Sequence, residues 1–273
     1  MSRETLTVEI ARYPFSIHTE DSSIFSVLED SFSGFLSSKH ARFMIDVVNR
    51  PSSSRIDIGD MPYDVTIGQQ NGRFLFYTES SPSIMLGFFD FKKGEATFIN
   101  QHAELSDHYL VPFLRVVYQL FLFMEGSGLL VHACGIVKDD EGYLFMGPSG
   151  CGKTTIAGLS PGGTILSDEF ICIRKDHEQY GMYPTPWKAD AIGEGYRLKK
   201  IIFPKRGESL TVRRLRPALA VNEIIPNIIY AFYNQDIFGK ILDFLVQMTE
   251  TVPCYVMHFS LTSRFWEEVT SDS

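Results

Sequence analysis

Gly147-Pro-Ser-Gly-Cys-Gly-Lys-Thr-Thr155 fits the pattern G-x-x-x-x-G-K-[ST], a loop whose backbone N–H groups cradle the phosphates of a nucleoside triphosphate. Just before it, Gly142-Tyr-Leu-Phe-Met146 reads as a short buried strand, and Thr154-Thr-Ile-Ala-Gly-Leu159 reads as the opening of a helix. The chemistry needs that order. Glycines let the chain wrap closely around an anion, and a helix N-terminus adds partial positive charge. On this reading Gly147, Pro148, Ser149, Gly150, Cys151, Gly152, Lys153, Thr154 and Thr155 form a nucleotide-binding loop. Lys153 would reach the β- and γ-phosphates, and the Thr154 hydroxyl would take a place on Mg²⁺. The plain alternative is a chance match in a glycine-bearing turn, which requires neither the strand before nor the helix after.

Leu129-Leu-Val-His-Ala-Cys-Gly-Ile-Val137 reads as a second strand, turned back by Lys138-Asp-Asp-Glu-Gly142. With the turn centred near Asp140, the numbers of paired residues sum to about 280. His132 then falls opposite Pro148, at the mouth of the loop, where an imidazole would meet bound phosphates. An ordinary core histidine is the competing reading. On the far side, Ser160-Pro-Gly-Gly163 breaks the chain after a short helix, and Thr164-Ile-Leu-Ser167 reads as a strand ending on Asp168-Glu169. Paired carboxylates at the C-terminal end of a strand beside a phosphate loop suit a metal ligand and a general base. A solvated strand end would look similar, but Phe170-Ile-Cys-Ile173 continues apolar and gives the pair buried surroundings.

The 273 residues are 44% hydrophobic and 13% aromatic, enough for one large domain or two modest ones. A formal net charge of -8 argues against general affinity for nucleic acid or anionic membrane. Cys134, Cys151, Cys172 and Cys254 lack C-x-x-C spacing and read as reduced, mostly buried thiols. The first residues carry Arg3, Glu4, Glu9 and Arg12 and do not read as a signal peptide. The apolar run 110–131 contains Arg115 and Glu125, which argues against a membrane span. A cytoplasmic protein is expected.

Residues 1–105 are expected to form a smaller α+β module. Its elements are a strand over Thr5-Leu-Thr-Val-Glu-Ile10, a helix over 23–37, and strands over 41–48 and 73–77. A turn at Gln69-Gln70-Asn71-Gly72 and a hairpin around Lys92-Lys93-Gly94 complete it. His18, His40 and His102 are isolated and read as surface or structural residues. Residues 107–124 carry a broad apolar helical face, expected to lie between two modules. Pro184-Thr-Pro-Trp187 and Lys188 fall in a loop that is either a rigid turn or a ligand cover, so Trp187 and Lys188 are candidate substrate contacts. The remainder reads as a strand over 196–204, helices over 213–227 and 236–250, a strand over 254–259 and a last helical turn over 265–269.

The strand histidine, the hairpin, the loop and the acidic pair together resemble the HPr serine kinase and phosphoenolpyruvate carboxykinase group of P-loop proteins. The stretches Thr185-Pro-Trp187 and Phe265-Trp266 are similar to the HPr kinase-like proteins found beside ribosomal peptide gene clusters, including lasso peptide kinases. The resemblance covers residues 107–270. It implies an α/β fold in which an HPr kinase-like P-loop catalytic domain over 106–273 follows the α+β module, itself a candidate for peptide recognition. It also implies ATP and Mg²⁺ as cofactors. By the same resemblance Asp168 would be the general base, Glu169 and Thr154 would hold Mg²⁺, Lys153 the phosphates and His132 the transferring group. The group usually has Asp-Asp where this chain has Asp168-Glu169. The signature segment of true HPr kinases is also not visible, so HPr is not the implied substrate.

The leading expectation is a serine kinase moving the γ-phosphoryl of ATP to a peptide or protein hydroxyl, such as a lasso peptide precursor. A nucleotide-binding regulator without transfer chemistry is the second reading, although such a sensor need not keep a base. A decarboxylating kinase of small dicarboxylates is the third. It would need several arginines for its substrate, and Arg213, Arg214 and Arg216 are the candidates. A homo-oligomer is implied by resemblance alone.

Overall fold

The computed structural model describes residues 3–49, 65–78, 85–100, 107–192, 194–229, 235–259 and 264–271, so His102 lies outside the described residues. It is a mixed α/β protein that divides into two compact units, Met1–Phe121 and Leu122–Ser273.

In the first unit, β1 (Glu4–Ile10) and β2 (Tyr13–Thr19) form a hairpin whose turn residues, Ala11 and Arg12, both have positive φ. The helix expected over 23–37 is shorter. The Asp21 carboxylate accepts from the Ser23 and Ile24 N–H groups and starts α1 (Ser22–Ser31), and a 3₁₀ turn (Ser33–Phe35) follows. Parallel pairing then joins β2 to β3 (Met44–Asn49), and β3 to β7 (Glu95–Asn100). The sheet continues through β6 (Met85–Asp90), β5 (Arg73–Thr78) and β4 (Val65–Gln70), all antiparallel. Asn71 and Gly72 alone make the β4–β5 turn, because Gln69 and Gln70 are still paired in the ladder.

The helix α2 (Asp107–Glu125) lays Phe113, Tyr118 and Phe121 on this sheet. Phe113 contacts the rings of Phe76 and Phe98, Tyr118 that of Phe15, and Phe121 those of Tyr13 and Phe43. The buried Tyr118 hydroxyl donates to the Ile10 carbonyl at 2.8 Å, so the ring brings its polar end in satisfied. His18 is structural, as expected: its two ring nitrogens contact the Thr5 and Ser16 hydroxyls at 2.9 and 2.8 Å.

In the second unit the long strand β8 (Gly128–Lys138) pairs antiparallel with β9 (Glu141–Met146) across Asp139 and Asp140, both at positive φ. Its first half also pairs with β11 (Phe170–Asp176), and its second half with β10 (Thr164–Ser167). From β11 the ladder runs through β12 (Gln179–Pro184) to β13 (Tyr196–Arg206), which returns parallel to β9. The five strands β8, β11, β12, β13 and β9 therefore close on themselves. Gly135 and Gly142 permit this. A Cβ on Gly135 would sit 2.7 Å from the Ile171 side chain, and one on Gly142 would sit 3.0 Å from that of Met182.

Beyond β13 the sheet extends to β15 (Cys254–Phe259), in parallel, and then to β14 (Thr211–Arg214), in antiparallel. The helix expected over 213–227 is thus a strand followed by α4 (Pro217–Ile224) and a 3₁₀ turn (Ile225–Asn227). Proline disfavours a helical residue before it, and Arg216 is accordingly extended at φ -70°, ψ 147°. The helix α5 (Gln235–Thr251) buries Ile237, Ile241, Phe244, Leu245 and Met248. A separate cluster joins Phe145, Ile156, Met257, Phe259, Phe265 and Trp266, so that α3 (Lys153–Gly158) and α6 (Phe265–Thr270) share one core.

Candidate functional site

Chain pairing brings the loop, His132 and the acidic pair to one end of the second unit. β9 runs straight into Gly147. The register sum along the β8–β9 hairpin is 279, from Ala133↔Met146 to Lys138↔Glu141, one less than expected. His132 thus stands one step past the last pair, level with Gly147 rather than Pro148. On its other side it pairs with Phe170, the first residue after the acidic pair.

Backbone constraints shape the loop. Gly150 and Gly152 have φ of 80° and 111°, values an L side chain resists. Gly152 also lies so close to the Phe259 ring that a Cβ would approach it to 2.7 Å. Cys151 points back under Gly147 and is only partly buried, while Cys134, Cys172 and Cys254 are buried free thiols. Burial pushes the Cys134 thiol up to about 12, with Asp168 and Asp190 adding to the shift. That nucleophile is therefore silent. Asp190, whose N–H donates to the Leu166 carbonyl at 3.0 Å, is a nearby carboxylate that the sequence did not single out.

Lys153 is 7% exposed. Its ammonium donates to the carbonyls of Gly147 at 2.7 Å and Pro148 at 3.4 Å, and no carboxylate lies within ion-pair distance among the described residues. An ammonium has three N–H donors, so one remains for a ligand. A buried cation held only by neutral carbonyls is costly, and an anion is what would compensate it.

The corner between β10 and β11 is organised by Ser167, which is fully buried. Its hydroxyl donates to the Lys188 carbonyl at 2.8 Å and accepts from the N–H groups of Glu169 and Phe170, both at 3.1 Å. Asp168 and Glu169 are thereby held at a bend between two strands, both half-buried. They face different partners. The Thr154 hydroxyl donates to Asp168 Oδ2 at 3.3 Å, whereas Glu169 forms an ion pair with Lys188. Ser167 carries no motif, and its only sequence signal is its place before two carboxylates.

Lys188 adopts a left-handed conformation at φ 61°, uncommon for a residue with a Cβ, and it presents an exposed ammonium to Glu169. Trp187 is 5% exposed and belongs to the core, which favours the rigid-turn reading of this segment over a ligand cover. The neighbouring Thr185 hydroxyl donates to the Phe170 carbonyl at 3.0 Å and pins the segment beneath the acidic corner.

Burial is the main cause that holds the His132 imidazole below its ordinary pKa. The Lys153 ammonium reinforces it, while Glu169 and Asp168 oppose it. The ring is thus neutral at neutral pH. Since the folded value lies below the unfolded one, near 6.5, the linked stability is complete well above about pH 6.5 and is lost progressively as pH falls from there through the lower folded value. Melting temperature measured between about pH 7.5 and 5.5 should therefore drop further for the wild type than for His132→Asn. Parallel curves would mean that this ring is not held neutral.

Oxygen donors and few protein ligands are what Mg²⁺ accepts, since it keeps several waters and shares phosphate oxygens. Thr154 Oγ1 and Asp168 Oδ2 fit that role. No group of three or more His, Cys, Asp or Glu side chains that could hold a metal on its own occurs among the described residues. No helix among them is long and apolar enough to cross a membrane.

In class, then, this is a mixed α/β protein with a glycine-shaped loop, a buried loop lysine and a strand-end acidic pair. Residues 101–271 match the SynChlorMet cassette protein ScmC family, and the chain belongs to it. No curated protein matches the chain.

Proposed function

We propose that the protein is an ATP-dependent kinase of the HPr kinase-like kind, transferring the γ-phosphoryl group to a serine hydroxyl of a peptide or protein such as a ribosomal (lasso) peptide precursor. The observation that carries this reading is Lys153, a buried ammonium with no carboxylate partner among the described residues, set in a loop of phosphate-binding pattern. The Thr154–Asp168 contact supports it.

In the transfer, the acceptor oxygen attacks the γ-phosphorus, the bond to the β,γ-bridging oxygen breaks, and ADP leaves. Lys153 takes up charge on the β- and γ-phosphates. The neutral His132 ring can donate one hydrogen bond to the transferring group. With Oδ2 turned to Thr154, Asp168 has Oδ1 to take the acceptor proton. Thr154 and Asp168 would hold Mg²⁺, which supplies neutralisation of the phosphate charge. The resemblance instead gives the metal to Thr154 and Glu169, but Glu169 is engaged by Lys188.

The test is incubation of the purified protein with γ-labelled ATP, Mg²⁺ and a library of serine-containing peptides. Label should pass to serine and the transfer should stop in excess chelator. ATP bound without ADP formation under any of these conditions would favour the second reading, a nucleotide-binding regulator. The Glu169–Lys188 ion pair, which neutralises one of the two carboxylates, is the observation on that side.

A further inference from the structure

Residues 199–216 hold seven of the chain's 25 Lys and Arg and one of its 33 Asp and Glu. This segment therefore carries +6 in a chain of -8, and the rest carries -14. It comprises the second half of β13, a turn, and β14. Lys200 is buried and spent on the carbonyls of Val269 and Ser271, and Lys205 lies 3.5 Å from Glu223. The exposed guanidinium groups of Arg206, Arg213, Arg214 and Arg216 make no ion pair among the described residues. In an acidic chain such a set has not been left unpaired for want of carboxylates.

β14 is also the last strand of its sheet, and no described strand pairs with its outer side. The Leu215 N–H donates inward to the Cys254 carbonyl at 2.8 Å. Alternation along an antiparallel ladder then turns the N–H and C=O groups of Val212 and Arg214 outward. An edge of this kind accepts another strand, and natural proteins usually guard it with charge. Here the guard is of a single sign. It repels a second copy of the same edge and attracts an acidic chain. Beside the strand, Arg213, Arg214 and Tyr255 line a surface cavity of about 310 Å³ that also includes Glu268. Leu219, near the start of α4, is 53% exposed.

We propose that the outer edge of β14 takes an extended acidic segment of the peptide substrate as an added strand. The proposal rests on the peptide-kinase reading for its purpose, though docking itself does not require transfer. Thr211 lies opposite His258, at the end of the sheet where β9 enters the phosphate loop, so the docked strand leads towards that loop. Four strand spacings separate β9 from an added strand, or about 19 Å, so the acceptor serine stands roughly six or more residues from the acidic segment.

The probe is a fluorescein-labelled decapeptide of alternating Glu and Val, followed by anisotropy. It should bind the wild type saturably and lose at least tenfold in affinity to Arg213→Glu/Arg214→Glu. An analogue N-methylated at alternate residues keeps the charge but cannot complete the ladder, and it should also bind at least tenfold more weakly. Near-ultraviolet circular dichroism checks the fold, and Arg213→Gln/Arg214→Gln replaces the first variant if that one unfolds. Equal affinity for the variant, equal affinity of the methylated peptide, or no binding at all overturns the proposal. So does tighter binding of a single-stranded oligonucleotide of the same length. Lys153→Ala separates this from the kinase reading, because it should lose ATP and keep the peptide. Transfer that persists when the decapeptide does not bind sinks the docking site alone. Docking without any transfer by the wild type sinks the kinase alone.

Discussion

Lys153→Met should weaken ATP binding by about 10²-fold or more, because breaking a buried charged contact costs about 3–5 kcal/mol. Phosphoryl transfer should disappear with it. The same substitution has an opposite expected effect on the free protein. Lys153 is buried against two carbonyls and no described carboxylate, so replacing it by an apolar side chain of similar length removes an uncompensated charge. Relief of the desolvation cost of that charge offsets the donor lost to the Gly147 and Pro148 carbonyls. The free variant should melt no lower than the wild type, and ATP with Mg²⁺ should raise the melting temperature of the wild type only. A variant that melts far lower would make Lys153 a structural residue. A variant still stabilised by ATP would remove the loop from the nucleotide site.

Asp168→Asn should slow transfer by roughly 10²–10⁴-fold, the range for a lost general base. Because Asp168 is also the carboxylate in contact with Thr154, raised Mg²⁺ should restore part of the loss. Glu169→Gln should cost much less and should not respond to Mg²⁺, since its main contact is Lys188. Turnover measured against Mg²⁺ for both variants separates the assignments. Rescue of the Glu169 variant instead would restore the roles implied by the resemblance. Full activity in both variants would end the kinase proposal.

The loop, the hairpin before it and the corner after it were legible because each is encoded locally. Glycine spacing, a two-residue turn and a change of hydrophobic pattern fall within a few residues of one another. The hairpin register was one residue off, since a turn centre read from Asp140 alone cannot tell Asp139-Asp140 from its neighbours. Between 205 and 216 the structure differs from the expectation, although α4 and the 3₁₀ turn lie within the helix expected over 213–227. β14 is too short to show alternation, and its last two residues, Arg213 and Arg214, fall inside the helix expected over 213–227. Pro217 was the usable signal, because it forces the residue before it out of the helical region. β12 went unread as a strand for a different reason. From Tyr180 to Pro184 it is buried in a closed ladder, so no polar face marks its period. The different partners of Asp168 and Glu169 were not legible at all, because they depend on Thr154 and Lys188 arriving from separate segments.

The glycine-shaped loop 147–155 is contiguous in sequence, but what holds it still is not. Ser160, at the end of the loop's helix, accepts from the Trp266 indole N–H at 3.0 Å across 106 residues, and the Phe259 ring closes on Gly152. Closing contacts of such high sequence separation costs chain entropy that the packing of the rest of the unit has to repay. The loop therefore becomes competent only with the finished unit, and a partly folded chain carrying the complete motif has no rigid cradle to offer. ATP should act as a ligand of the final state alone, and its binding should protect α3, β15 and α6 against hydrogen exchange together, as one cooperative block.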